Sequence, residues 1–127
     1  MCNVRIITIT NTDKAMKILT KEILAAFKKQ GHTGNKSAKD IMIVLKIFNP
    51  YGAETWYIYE MDDDDVCWAF VNLGDRECAE CGTVLMQDLL SMRVPPFRMP
   101  LERDKFFKPL SMSLEEVMNK VKSGGHV

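Results

Sequence analysis

Cys78-Ala79-Glu80-Cys81 is the only short motif in the chain with the spacing of a metal or redox site. Two thiolates set two residues apart supply half of a zinc site, or a redox pair. A closed zinc site would need Cys2, Cys67, His32 or His126 to come within range. A redox pair would need its second cysteine to open a helix after a parallel strand. An antiparallel meander does not provide the second of these. Cys78 and Cys81 are therefore read as small residues of a loop and a turn, with metal as the weaker alternative and no cofactor expected. The run Asp62-Asp63-Asp64-Asp65 lacks the spaced ligands, central glycine and closing glutamate of a calcium loop. It reads as a solvated hairpin turn that also blocks edge aggregation. Gly31-His32-Thr33-Gly34-Asn35-Lys36-Ser37 has a phosphate-loop composition, but Asn35 separates the glycine from the lysine and the segment follows a helix, so that reading fails.

Glu102-Arg103-Asp104 lies between apolar neighbours, so at least one of its charges is expected to be partly buried and paired, most simply through the arginine fork. The alternative is an anion or ligand site in which Arg103 binds beside Trp56, Tyr57 and Tyr59, with Glu60 or Glu102 as acid or base. No nucleophile or paired base accompanies these residues, so none is assigned a catalytic role. The aromatic group Tyr51, Trp56, Tyr57, Tyr59 and Trp68 has few interleaved basic residues and reads as core plus sheet surface, not as a base-stacking platform.

The chain around these residues is 127 residues long, 46% hydrophobic and 27% charged, which is the composition of one self-folding domain. Seventeen basic residues balance seventeen acidic ones. That balance disfavours stable nucleic-acid or membrane-surface binding and leaves a protein partner or a homodimer open. No apolar run approaches the roughly 18 residues of a membrane span, and the opening residues carry no signal core. A cytoplasmic protein with four cysteines kept as thiols is the expectation.

Val4 to Thr10 is rich in β-branched residues and reads as a short strand. Thr20 can cap a helix over about 20–30, with Leu19 and Leu24 at staple spacing, Ile23, Leu24 and Phe27 as its apolar stripe, and Gly31 as its end. Ile41 to Phe48 is nearly continuously apolar and runs into the turn Asn49-Pro50-Tyr51-Gly52, so it predicts a central strand. Glu54 to Glu60 alternates, with Trp56 and Ile58 on one face and Thr55, Tyr57 and Tyr59 on the other. Val66 to Leu73 alternates likewise. A helix is expected within Val84 to Met92, an extended path at Pro95-Pro96, and a last helix behind the capping box Ser113-Leu114-Glu115-Glu116. The sum is a single α+β domain: a small antiparallel meander of three to four strands packed with two to three helices. Residues 1–15 form an N-terminal extension with a candidate edge strand, 16–122 the domain, and 123–127 a loose tail.

Several stretches, in order, resemble the family known as domain of unknown function 2958: Leu19 to Ile23, Lys46 to Pro50 with Thr55-Trp56-Tyr57 and Glu60, Val71 to Gly74, Arg93, Pro96-Phe97, Pro100 to Asp104 and Phe107 to Pro109. The resemblance implies the company of conjugative plasmids, integrated elements and phages, and it carries no established activity. Similar sequences have glycine where this chain has Arg98 and an apolar residue where it has Cys81. They also begin near Met16. The expected function is that of a non-enzymatic accessory protein binding a host protein, in a counter-defence role such as anti-restriction or anti-CRISPR inhibition, through Asp62, Asp63, Asp64, Asp65 and Arg98. The alternative is a small enzyme or anion-binding protein using Arg103, Glu102, Asp104, Trp56 and Tyr57.

Overall fold

The computed structural model describes residues 18–125 and 127. The N-terminal extension over 1–15, with the strand expected at Val4 to Thr10, lies outside the described residues. Helix α1 spans Lys21–Gln30, and Thr20 caps it, its hydroxyl accepting the Ile23 N–H at 3.3 Å. Gly31 ends it with φ 67°, donating its N–H to the Phe27 carbonyl. Ile23, Ala26, Phe27 and Gln30 face the core. Leu24 does not belong to that stripe: it is 45% exposed, one step round the helix from Ile23 and outside the narrow arc that meets the sheet.

Four consecutive strands form the expected meander: β1 Leu45–Phe48, β2 Thr55–Met61, β3 Val66–Asn72 and β4 Glu80–Leu85. Helix α2, Met86–Ser91, follows directly. A small hairpin of β5 Arg93–Val94 and β6 Met99–Pro100 comes next, and β7 Glu102–Arg103 then joins the main sheet. The sheet order is β4-β3-β2-β1-β7, antiparallel throughout. Helix α3, Leu114–Lys122, starts at the predicted capping box: the Ser113 hydroxyl accepts the Glu116 N–H, and the Glu116 carboxylate accepts the Ser113 N–H. The chain is thus an α+β fold with three helices among the described residues.

Two segments differ from expectation. The first strand begins at Leu45, because residues 41–43 bond elsewhere: Ile43 donates to the Met112 carbonyl at 2.8 Å and Met42 bridges to Ser113. Cys81 stands inside β4 and not in a loop, and Val84 and Leu85 close that strand before the helix begins. Val84 sits opposite Cys67 and packs against the core, so one apolar residue satisfies both a strand and a helix period.

The alternation of β2 and β3 separates two cores. On one face Leu45, Ile47, Trp56, Ile58, Cys67 and Ala69 meet α1 and α2. On the other, Tyr57, Tyr59 and Phe70 meet Leu114, Val117 and Val121 of α3. Both faces are therefore covered, and each fully buried side chain such as Ile47, Ile58 or Phe70 contributes roughly 1.5–3 kcal/mol. Among the described residues no helix is long and apolar enough to cross a membrane.

Candidate functional site

With both faces covered, the features open to a partner lie at the rim. At one end of the sheet the turn between β1 and β2 closes as its sequence predicts, the Gly52 N–H donating to the Asn49 carbonyl at 3.2 Å. The Asn49 side chain braces it, accepting the Tyr51 N–H at 2.8 Å and donating to Glu54 Oε1 at 2.8 Å. A Cβ on Gly52 would lie 2.5 Å from Glu54 Oε1 and 2.6 Å from Asn49 Nδ2, so the brace requires glycine. The turn holds Tyr51 outward, 49% exposed, against Phe97 of the β5–β6 turn, 69% exposed; the rings meet edge to face at 5.9 Å. Arg98 follows with φ 56°. That left-handed backbone costs a side chain roughly 1–2 kcal/mol and suits glycine.

A pocket of about 280 Å³ opens beside the second core, between the sheet and the end of α3. Lys46, Thr55, Tyr57, Asn72 and Arg76 line it together with Gly124 and Gly125. Lys46 Nζ lies 3.1 Å from Asp104 Oδ2 and 5.9 Å from the Tyr57 ring centre. The Asp104 carboxyl is held below the ordinary aspartate value: burial opposes its charge, but the hydrogen bond from Lys46 and the Phe106 N–H outweigh it. Burial, then the Asp104 charge, push the Tyr57 phenol up to about 12, so it stays a proton donor. Arg76 lies against Gly124, whose missing Cβ would be 2.9 Å from Nη1.

At the opposite end of β2 an extra residue, Tyr59, bulges between the pairs Ile58–Ala69 and Glu60–Trp68. The buried Gln30 amide clamps this bulge by donating to the Tyr59 and Met42 carbonyls, each at 2.6 Å, and accepting the Met42 N–H at 2.8 Å. Glu60, turned inward beyond the bulge, accepts the Thr33 N–H at 2.9 Å and the Thr33 hydroxyl, and lies 2.7 Å from His32 Nδ1. Burial raises the Glu60 pKa, yet the Thr33 and His32 contacts hold it below the ordinary value. Both oxygens are engaged and the group is ionised at neutral pH, which suits a bracket better than an acid or base.

The remaining candidates are dispersed. Asp62 is part of its own turn, accepting the N–H groups of Asp64 and Val66 at 2.8 and 2.9 Å. Asp63 and Asp64 are exposed, and Asp65 takes φ 64°. Trp56 and Tyr57 point to opposite faces, so the sequence-derived ligand set does not converge. Asp104 joins Tyr57, whereas Arg103 pairs with Ile47 on the Trp56 face and Glu102 stands opposite Phe48. Cys78 is exposed beside Asp75, whose hydrogen bond and charge push its thiol up. Cys81 is exposed at the edge of the sheet, but its sulfur bonds the Tyr59 hydroxyl and its partial burial there pushes the thiol up as well. A reactive thiol pair needs the reverse shift. Among the described residues no three His, Cys, Asp or Glu side chains cluster to hold a metal.

The family described as protein of unknown function, DUF2958, matches residues 18–127. The chain belongs to that family. No curated protein and no solved structure matches it. In this DUF2958 protein the two most distinctive sequence blocks, around Asn49-Pro50-Tyr51 and Pro96-Phe97, touch through the Tyr51 and Phe97 rings. Sequence reading missed that contact, although an aromatic residue at the tip of a turn has little to bury against and could have flagged it. Of the pocket cations, Arg76 carried no local motif and Lys46 stood out only as the start of the Lys46 to Pro50 block.

Proposed function

We propose that this protein is a non-enzymatic accessory protein of a phage or mobile element that binds a host protein through the aromatic end of its sheet. The supporting observation is the pair of surface rings at Tyr51 and Phe97, in contact with each other and open to solvent. Tyrosine and arginine dominate binding hot spots, and exposed aromatic contacts without a structural need mark interaction surfaces. Arg98 adds a cation there at a backbone cost that a purely structural turn would shed. A defence nuclease of the host is the target that the company of similar sequences suggests, and the host cytoplasm is where the contact would be made. The test is capture of the tagged chain from host lysate after nuclease treatment, with the double variant Tyr51→Ser/Phe97→Ser and Arg98→Gly in parallel. A stoichiometric protein retained by the wild type and Asp63→Asn/Asp64→Asn, but lost from the ring variant and weakened in Arg98→Gly, supports the reading. Equal capture by all, or no partner, overturns it.

The pocket favours a second reading, a small-anion site. Lys46 and Arg76 present two cations, with Thr55, Tyr57 and Asn72 as hydrogen-bonding groups and no acidic side chain in the lining, while Asp104 and the Val127 carbonyl engage Lys46 from beside it. Titration with inorganic phosphate, followed by amide chemical shifts, separates the two: Arg76→Ala abolishes a pocket response and leaves host-protein capture intact.

A further inference from the structure

The two edges of the sheet are unlike. On one side β7 is two residues long and both are charged, which limits what can add to it. On the other, β4 runs six residues, with a continuous register to β3 and neither proline nor lysine. Its only charge, Glu80, is at its start, and Cys81, Gly82, Thr83 and Leu85 are exposed. Among the described residues, the ladder fixes which groups are unmet. The Met86 N–H donates to the Asp65 carbonyl at 2.9 Å, one step beyond the pair Val66–Leu85. Bonding pairs recur at every second residue, so Glu80, Gly82 and Val84 turn their N–H and C=O toward β3. Cys81 and Thr83 turn both of theirs outward, and Leu85 its N–H, since the Leu85 carbonyl, at the N-cap of α2, accepts the first bond of that helix.

We propose that a second copy of this chain adds to that edge, β4 against β4 antiparallel, about a two-fold axis at Thr83. In this register Thr83 faces the partner's Thr83, Cys81 faces the partner's Leu85, Gly82 the partner's Val84 and Glu80 the partner's Met86. The outward N–H and C=O of Cys81 and Thr83 and the N–H of Leu85 then find mates, the Leu85 carbonyl accepting the partner's Cys81 N–H beside the bond it already takes from α2. No like charges are opposed within the strand, and the equal count of acidic and basic residues adds no net repulsion between copies. The exposed Leu85 gains an apolar neighbour in the partner's Cys81. The result is one sheet continuous across both subunits, an isologous contact that closes at two copies. This inference is independent of the host-partner reading, because it concerns the purified chain alone.

The test is sedimentation equilibrium of the full chain over a roughly hundredfold range of concentration, with amide hydrogen exchange at each end of the range. The expected result is a mass rising to twice that of the chain, with slowed exchange at Cys81, Thr83 and Leu85 only in the associated state. Thr83→Lys places two cations opposite each other at an exposed position and is expected to raise the dimer Kd at least about tenfold. Leu85→Cys, oxidised, is expected to yield a covalent dimer through Cys81 of the partner subunit, since bonded pairs hold their Cα atoms at about 5.5 Å. A monomer throughout, an undiminished dimer in Thr83→Lys, or concentration-independent exchange at the three amides overturns the proposal.

Discussion

Replacing Gln30 with methionine keeps the length and most of the volume of the side chain but removes both polar atoms from the clamp on the β2 bulge. Three backbone groups lose their partner: the carbonyls of Tyr59 and Met42, each accepting at 2.6 Å, and the Met42 N–H donating at 2.8 Å. A buried group left unsatisfied costs about 1–3 kcal/mol. The Tyr59 contact is buried and takes the full cost, whereas the Met42 contacts are partly buried and recover part of theirs from water. The sum is about 2–4 kcal/mol. For a chain of this length that corresponds to a fall in Tm of roughly 6–20 °C. Urea unfolding followed by far-UV circular dichroism measures it, with Leu24→Ala as the control on the exposed side of the same helix, expected to cost about 0.5 kcal/mol or less. A loss below about 1 kcal/mol for Gln30→Met would refute the view that this amide holds the bulge.

The Glu60 bracket makes stability depend on pH. Its folded pKa lies below the unfolded one, so its contribution is present above the ordinary glutamate value of 4.5 and is lost as pH falls through the lower folded value. Unfolding free energies measured by urea from neutral pH into that acid window are expected to decline more steeply for wild type than for Glu60→Gln; identical slopes would remove Glu60 from the account. Burial, followed by the charges of Asp65 and Asp62, pushes the Cys67 thiol up to about 12. With its side chain fully buried as well, it should resist alkylation in the native protein while Cys78 and Cys81 react, which mass spectrometry of labelled peptides resolves. Equal labelling of all three thiols in the folded state would contradict the assignment.

The parts of the fold that were legible in the sequence are those fixed by local chemistry. Thr20 and Ser113 cap the helices they precede because their hydroxyls need only backbone N–H groups three residues away. The alternation through Trp56, Tyr57, Ile58 and Tyr59 assigned side chains to two faces because a strand has period two, and the structure fills both faces. What escaped depends on distant partners. Residues 80–85 carry little apolar signal because an edge strand buries only its contact with β3, so Cys81 looked like loop. Arg103 looked adjacent to Tyr57 because sequence spacing alone does not say which strand β7 joins or in what register. The contact of Tyr51 with Phe97 joins two turns far apart along the chain: an aromatic turn tip signals that a neighbour is wanting, but not which residue supplies it.

The separation of the two cores also gives the chain a built-in pair of optical reporters. Of its two tryptophans, Trp56 is buried in the layer formed with α1 and α2, and Trp68 packs against the layer formed with α3. Single-tryptophan variants would then read each layer by its own emission. Coincident transitions would mean that the sheet couples the two layers into one cooperative unit; separated ones would mean that the α3 side can open while the rest of the molecule holds.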